Sequence, residues 1–193
     1  MNNNFNTILQ EYFGNLNPEE LTILLSYFRE ETLCKDDFFT KTDSFCNRLS
    51  LVKSGLLRIY TFSDGKEITQ WISTPNYFVT EISSFFFNQP NRWNIQALTD
   101  VKLLTLTKES YTQLCKDFPK WNDIEKQFIA KCFAMLENRV FSHLSMTAEE
   151  RYQLFFEQNK VLFNEVPLQY IASILGMTPE TLSRIRKRQL SNS

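Results

Sequence analysis

Apolar residues recur at helical spacing near the N-terminus, and this pattern predicts two helices. An i, i+3, i+4, i+7 series predicts the first helix, and it consists of Phe5, Ile8, Leu9, Tyr12 and Phe13. Asn17-Pro18-Glu19-Glu20 starts the second helix, because it supplies a cap, a proline in the first turn and a glutamate at the third position.

Between about residues 30 and 107 the apolar pattern changes to short β segments. Leu56 to Phe62 and Glu67 to Ile72 flank an Asp64-Gly65 pair, which is a strong signal for a β-hairpin. Val101 to Leu106 forms the last predicted strand. Several short strands at this spacing predict a sandwich or jelly roll.

A helical period returns after Lys108, and the stretch from about Lys120 to Leu144 contains no glycine or proline. One apolar stripe comprises Ile129, Cys132, Leu136, Val140 and Leu144, and a second comprises Trp121, Ile124, Phe128 and Met135. A helix with two apolar stripes needs two partners. We expect one partner to be the β domain and the other to be the same helix of a second chain. The candidate dimer-interface residues are Phe128, Ile129, Cys132, Leu136 and Val140.

The C-terminal region begins with a capping box, Thr147 to Glu150, and residues 166–188 then hold two short helical patterns. Ala172 lies where the two helices would cross, and Gly176 lies at the turn between them, where a positive φ is needed. Thr178 can cap the second helix. The predicted shared core is Ile171, Ile174, Leu175, Leu182 and Ile185. This arrangement predicts a DNA-reading helix-turn-helix.

The exposed start of the second helix carries side chains that can read bases. Arginine pairs with guanine, glutamate accepts from cytosine and serine suits either, so Glu180, Ser183 and Arg184 are the predicted base-reading residues. Further predicted DNA contacts are Thr178, Thr181, Arg186, Lys187 and Arg188, with the last three on phosphates. Four cations against one carboxylate give residues 166–193 a net charge of +3, whereas the whole chain carries −1. An apolar stripe alone is typical of a helix that packs on a core, and a basic C-terminus alone is typical of a solvated surface. The two features together, with the cap, the turn glycine and the polar face, favour DNA binding.

The composition is that of a globular protein, with 42% hydrophobic and 22% charged residues among 193. No apolar run reaches the length of a membrane span, and the N-terminus lacks the features of a signal peptide. The cysteines are scattered and form no CxxC pair, which argues against a zinc site or an iron–sulfur cluster. We therefore expect a cytoplasmic protein with reduced thiols and no membrane partner.

The order of these elements resembles the cyclic-AMP receptor/fumarate–nitrate regulator (Crp–Fnr) family of bacterial transcription factors. LGMTPETLSRIRK is similar to the recognition helix of that family, and VKSGLLRIYTFSDGKEIT is similar to its sensor roll. The resemblance implies an α+β fold with a cyclic-nucleotide-binding-like β roll (jelly roll), a long dimerisation helix and a helix-turn-helix without a full wing. It divides the chain into an effector-sensing domain at 1–118, the dimerisation helix at 119–145 and a DNA-binding domain at 146–193. The implied partners are double-stranded DNA, read as an inverted repeat, and a second copy of the chain; RNA polymerase is a candidate partner.

The resemblance departs from the family at the nucleotide site. Nucleotide-binding members carry Phe-Gly-Glu before a short helix and Arg-Ser/Thr-Ala after it, and the corresponding stretches here are FVTE, at 78–81, and RWN, at 92–94. The glycine is missing, and Trp93 stands where a hydroxyl is expected. We therefore predict no cofactor and no useful affinity for cyclic AMP. Glu81 and Arg92 either form a structural ion pair or hold a different, unidentified effector.

Two other classes of function remain as alternatives. An enzyme on a cupin-like roll needs clustered histidines, yet His143 is the only histidine and lies on the long helix, so we predict no catalytic or metal-binding residues. The second alternative is a ligand-sensing or protein-interaction module on the same fold that no longer reads DNA. The salt dependence of DNA binding separates this module from a regulator.

Overall fold

The computed structural model describes residue 14 and residues 16–191. In these residues the secondary-structure elements follow the chain in this order: α1 Pro18–Ser26, β1 Arg29–Leu33, β2 Phe38–Thr40, β3 Arg48–Ser54, β4 Leu57–Ser63, β5 Lys66–Ser73, β6 Phe78–Val79, α2 Ile82–Phe87, β7 Asn94–Ala97, β8 Val101–Thr107, α3 Lys108–Asp117, α4 Trp121–Ser145, α5 Ala148–Gln158, α6 Leu162–Glu165, α7 Leu168–Ile174 and α8 Pro179–Ser191. The helix predicted from Phe5 to Phe13 lies outside the described residues.

The strands form two antiparallel four-stranded sheets with orders β1-β8-β3-β6 and β2-β7-β4-β5. Apolar side chains of both sheets are buried together, among them Val52, Leu57, Ile95, Ala97, Val101 and Leu103. The predicted jelly roll is therefore confirmed, and its combination with helical elements makes the fold α+β.

The predicted hairpin is formed by β4 and β5, and Ser63 pairs with Lys66. Asp64 and Gly65 have φ values of 50° and 74°, which is the conformation that a two-residue type I′ turn requires. Further along the hairpin, Ile59 pairs with Trp71 but Tyr60 pairs with Thr69. Gln70 is thus an extra residue in β5, and it forms a β-bulge.

Both predicted capping boxes are present. Glu20 donates its backbone N–H to Asn17 at the start of α1, and Thr147 and Glu150 exchange the equivalent bonds at the start of α5. Each box satisfies N–H groups that the first helical turn leaves without an internal partner. Local sequence therefore fixes where these two helices begin.

The long helix α4 agrees with its predicted bounds to within one residue at each end. Trp121 and Ile124 are buried against the roll, as the second apolar stripe predicts. Met135, from the same stripe, is 48% exposed. Beyond residue 128 the helix leaves a series of large apolar side chains exposed, and these are Ile129, Phe133, Leu136, Val140, Phe141 and Leu144.

The helix-turn-helix rests against the hairpin of the roll. The backbone N–H of Thr69 in β5 donates to Ser173 Oγ of α7 at 2.8 Å. The buried guanidinium of Arg58 lies 3.6 Å from the ring centroid of Tyr170 in α7 and 4.2 Å from that of Tyr60 in β4. A charged group held between two rings is well ordered, so these contacts fix the position of α7 on the roll.

Candidate DNA-reading helix and effector region

Helices α7 and α8 form the predicted helix-turn-helix, and its small core is closed. All five predicted core residues and Ala172 are buried, with Ala172 fully so. Gly176 has a φ of 64°, which confirms that the turn needs the left-handed conformation. The Thr178 hydroxyl accepts a hydrogen bond from the N–H of Thr181 at 3.2 Å, as expected of a cap. The local sequence thus places α8 on a rigid support.

The outer face of α8 is polar and exposed. Glu180, Ser183 and Arg184 all lie on this face, and Thr181 is half-buried beside it. No hydrogen bond or ion pair joins the side chain of Arg184 to any other residue that the structure describes. The Glu180 N–H and the Thr178 hydroxyl hold the pKa of the Glu180 carboxyl below its usual value. This carboxyl is therefore an acceptor at neutral pH, which is the form that cytosine requires.

The remaining cations of α8 have different surroundings. Lys187 is exposed, whereas Arg186 is half-buried with its guanidinium 5.7 Å from the Phe163 ring centroid. Arg188 pairs with Glu149 of α5 at 2.9 Å, and both side chains are largely exposed. Exposed pairs of this kind contribute at most about 1 kcal/mol, so Arg188 can exchange Glu149 for a phosphate at little cost.

Glu81 occupies the start of the short helix α2. It is only 4% exposed, and its carboxylate accepts a hydrogen bond from the N–H of Ser84 at 2.7 Å. The Ser84 hydroxyl in turn accepts from the backbone N–H of Cys46 at 2.7 Å. The family resemblance implies that the helix N–H groups and an arginine hold the phosphate of a nucleotide, while the glutamate takes the ribose hydroxyl. Here the Glu81 side chain is used as the cap of α2 itself.

The structure does not bring Glu81 and Arg92 into contact. Arg92 is exposed, and its guanidinium lies 5.0 Å from the ring centroid of Trp93, which is half-buried. Among the described residues no ion pair joins Arg92 to Glu81. The structural ion pair suggested by the sequence is therefore not formed. An effector role for either residue stays a prediction.

The predicted dimer-interface residues divide into two groups on α4. Phe128 faces the roll, and its ring centroid lies 5.0 Å from that of Phe78, so it has a partner within its own chain. Ile129, Leu136 and Val140 are each about half exposed, and Cys132 is exposed. Phe133 is 66% exposed beside them, although it belongs to neither of the two apolar stripes predicted from the sequence. The signal was the spacing, since 129, 133, 136 and 140 follow the alternating steps of four and three that mark a coiled-coil seam.

Comparisons with known proteins agree with this architecture. Residues 30–118 match the family model of the cyclic nucleotide-binding domain. FixK2 from Bradyrhizobium japonicum is 20% identical with a TM-score of 0.69, over 86% of this chain and 85% of that one. The c-di-GMP responsive global regulator CLP of Xanthomonas campestris is 14% identical with a TM-score of 0.66, over 91% and 93%. The catabolite activator protein of Thermus thermophilus is 24% identical with a TM-score of 0.57, over 94% and 87%.

No curated protein sequence matches this chain. In the part of the chain that the structure describes, no helix combines the length and the apolar character needed to cross a bilayer. The predicted family resemblance is confirmed at the level of domain and fold. Residues 30–118 are similar to the cyclic nucleotide-binding domain, and the chain has the fold seen in solved structures of Crp–Fnr transcription regulators.

Proposed function

We propose that this chain is a non-catalytic transcription regulator that reads an inverted-repeat DNA site as a homodimer and does not respond to cyclic AMP. The observation that carries the proposal is the outer face of α8. Its polar side chains are exposed, and the side chain of Arg184 makes no hydrogen bond or ion pair with another described residue, while the inner face is buried in a closed core. A helix held in this way can enter a major groove without losing its own support.

The charge distribution supports the same proposal. The segment that contains α8 carries a net charge of +3 in a chain whose total is −1. Positive charge gathered on one element is the electrostatic footprint expected of a DNA-binding module. Base-edge contacts from Glu180, Ser183 and Arg184 would then supply sequence specificity, because phosphate contacts carry none directly.

The exposed stripe of α4 supports the homodimer. Ile129, Phe133, Leu136 and Val140 occupy successive seam positions, and each is about half exposed or more. Large apolar side chains in a contiguous row mark an interaction site rather than an ordinary surface. A two-fold dimer along this row would present two α8 helices to half-sites about 34–36 Å apart. Contact with RNA polymerase remains a prediction.

The surroundings of α2 support independence from cyclic AMP. The Ser84 N–H at the start of α2 already donates to the Glu81 side chain at 2.7 Å, so this helix end has one donor fewer for a cyclic phosphate. The stacked pair of Arg92 and Trp93 occupies the other stretch that would hold a nucleotide.

Selection from a random DNA pool tests the proposal directly. The wild-type protein should enrich an inverted repeat, and its affinity for that repeat should fall steeply as salt rises. A protein-interaction module would enrich no consensus, and its partner binding through apolar surface would change little with salt. Enrichment of no sequence would therefore exclude DNA reading and favour that module.

The homodimer is tested by placing a charge in the seam. Leu136→Glu should give a monomer by light scattering, and specific DNA binding should be lost with it, because burying an unpaired carboxylate at the seam is costly. Ala134→Glu adds the same charge at an exposed position of α4 that lies off the apolar row, and it should remain dimeric. A monomeric wild type at micromolar concentration would contradict the proposal.

A further inference from the structure

A cavity of about 490 Å³ lies where the β roll, the long helix and the helix-turn-helix domain meet. This volume is in the range of sites for small organic ligands. We propose that the cavity binds a small amphipathic carboxylic acid, with its apolar body against aromatic rings and its carboxylate between two arginines. This site differs from the region of Glu81 and Arg92, where the family resemblance places an effector.

The apolar part of the site is a set of packed rings. Trp71 lies at its centre, with its ring centroid 6.0 Å from that of Tyr77 and 6.3 Å from that of Phe155. Tyr77 follows β5 in the roll, whereas Phe155 belongs to α5, so the rings come from two different parts of the chain. These rings favour a ligand with an aromatic or aliphatic body, and they offer few hydrogen-bond partners to a sugar.

The polar part of the site is cationic. Arg139 of α4 and Arg151 of α5 both line the cavity, and no aspartate or glutamate of the described part of the chain lines it. Arg151 donates to the carbonyl oxygens of Leu175 and Met146, at 3.0 and 2.7 Å. Arg139 donates to the carbonyl of Gln70, and its guanidinium lies 5.0 Å from the Trp71 ring centroid. Both guanidinium groups are therefore held in place by neutral partners.

Neither arginine has an anionic partner among the residues that the structure describes. Burial lowers the pKa of Arg139, because desolvation disfavours its charged form. A ligand carboxylate would supply the missing negative charge, and a guanidinium can hold a carboxylate through two parallel hydrogen bonds. The same argument excludes an amine, whose charge would meet two cations.

A ligand in this cavity would touch the β roll, the long helix and the helix-turn-helix at once. The lining includes Trp71 of β5, Arg139 of α4 and Ile174 of α7, the first helix of the helix-turn-helix. His143 joins the same units, since its Nε2 lies 3.2 Å from the Ile174 carbonyl oxygen. An effect of the ligand on DNA affinity rests on the proposed function, whereas binding itself does not.

Titration calorimetry on the full-length protein tests the site with three probes of one skeleton. 4-Phenylbutyrate should bind saturably, 4-phenylbutanol should bind roughly tenfold more weakly or worse, and 4-phenylbutylamine should not bind. The expected loss for the alcohol follows from the larger contribution of hydrogen bonds to charged groups. Absence of saturable binding by 4-phenylbutyrate at millimolar concentration, or equal affinity for acid and alcohol, would overturn the proposal.

Three variants locate the binding. Arg139→Gln should weaken 4-phenylbutyrate roughly tenfold or more, and Arg92→Gln, which removes a cation outside this cavity, should leave the affinity unchanged. Met135→Trp keeps both arginines but fills part of the cavity, so it should abolish binding. This variant provides a second test in case Arg139→Gln folds poorly. Unchanged affinity in Met135→Trp, or loss of affinity in Arg92→Gln alone, would place the ligand elsewhere and refute the site. Failure of this test leaves the selection of a DNA consensus unaffected.

Discussion

Two helices of this chain begin with the same kind of cap in different surroundings. Helix α2 in the roll starts at Glu81, which is buried and accepts a hydrogen bond from the helix itself. Helix α8 starts at Thr178, which is exposed and followed by the exposed Glu180. Both caps accept a hydrogen bond from the backbone N–H three residues further on, but the cap of α2 is buried, whereas that of α8 is exposed beside polar side chains. The comparison teaches that the exposure of the cap and of the side chains beside it, rather than the cap itself, decides which helix end can present polar groups to a partner.

The largest effect should come from removing the support of α8. Leu182 is fully buried beneath the exposed face, and Leu182→Ala should lower the free energy of unfolding by about 2–5 kcal/mol through lost packing and a cavity. Ser183→Ala, one residue away on the exposed face, should change the free energy by no more than about 0.5 kcal/mol. Urea unfolding measures both values. Similar values for the two variants would mean that α8 does not rest on this core.

The next effect concerns the exposed face itself. Arg184→Ala should weaken specific DNA binding by about 1–3 kcal/mol and relax the preference at one base pair. Lys187→Ala should instead weaken all sequences alike and reduce the slope of the salt dependence by about one. Competition binding with single-base variants of the selected site separates these outcomes. Retention of full specificity in Arg184→Ala would contradict its assignment to a base.

A smaller effect should follow from removing the side-chain cap of helix α2. Glu81→Ala should destabilise the roll by about 0.5–2 kcal/mol, because the Ser84 N–H loses its acceptor. Glu81→Gln keeps an acceptor oxygen, so thermal unfolding should show a smaller loss. DNA affinity should be unchanged in both. If Glu81→Ala were as stable as the wild type, Glu81 would not be the cap of this helix.

The smallest expected effect is the heat released when cyclic AMP is added. Calorimetric titration of the wild type should give no saturable heat, and Arg92→Ala should look the same. Saturable binding at low micromolar concentration, lost in Arg92→Ala, would show that this helix end still accepts a nucleotide despite Glu81. Such a result would also remove the contrast between the two helix ends.

Local patterns were sufficient to predict much of the fold. The caps at Asn17 and Thr147, the Asp64-Gly65 turn and the helix-turn-helix core each depend on residues within a few positions of one another. Local chemistry fixes such features before any tertiary contact forms. The jelly roll and the long helix followed from the period of apolar residues.

Features that depend on distant contacts could not be predicted in this way. The sequence marked Glu81 as a candidate effector contact, but only the fold shows that it caps α2. Phe128 appeared on both an inner stripe and a dimer seam, and only the fold shows that its ring packs against Phe78; its place in a dimer interface stays a prediction. Nothing in the local sequence places Arg139 beside Trp71, since the two lie on different elements and meet only when α4 packs on the hairpin.

Because of the bulge at Gln70, the contacts of the hairpin depend on the number of residues in β5 as well as on their identity. The extra residue frees a carbonyl that receives Arg139, and it sits between Thr69, which meets α7, and Trp71, which meets α5. Removing it would restore an unbroken ladder, but a one-residue shift turns the following side chains to the other side of a sheet. Substitutions at Gln70 keep the carbonyl and the register, whereas a deletion would lose both. In this segment the spacing between residues is therefore under stronger constraint than the identity of the side chain at the bulge.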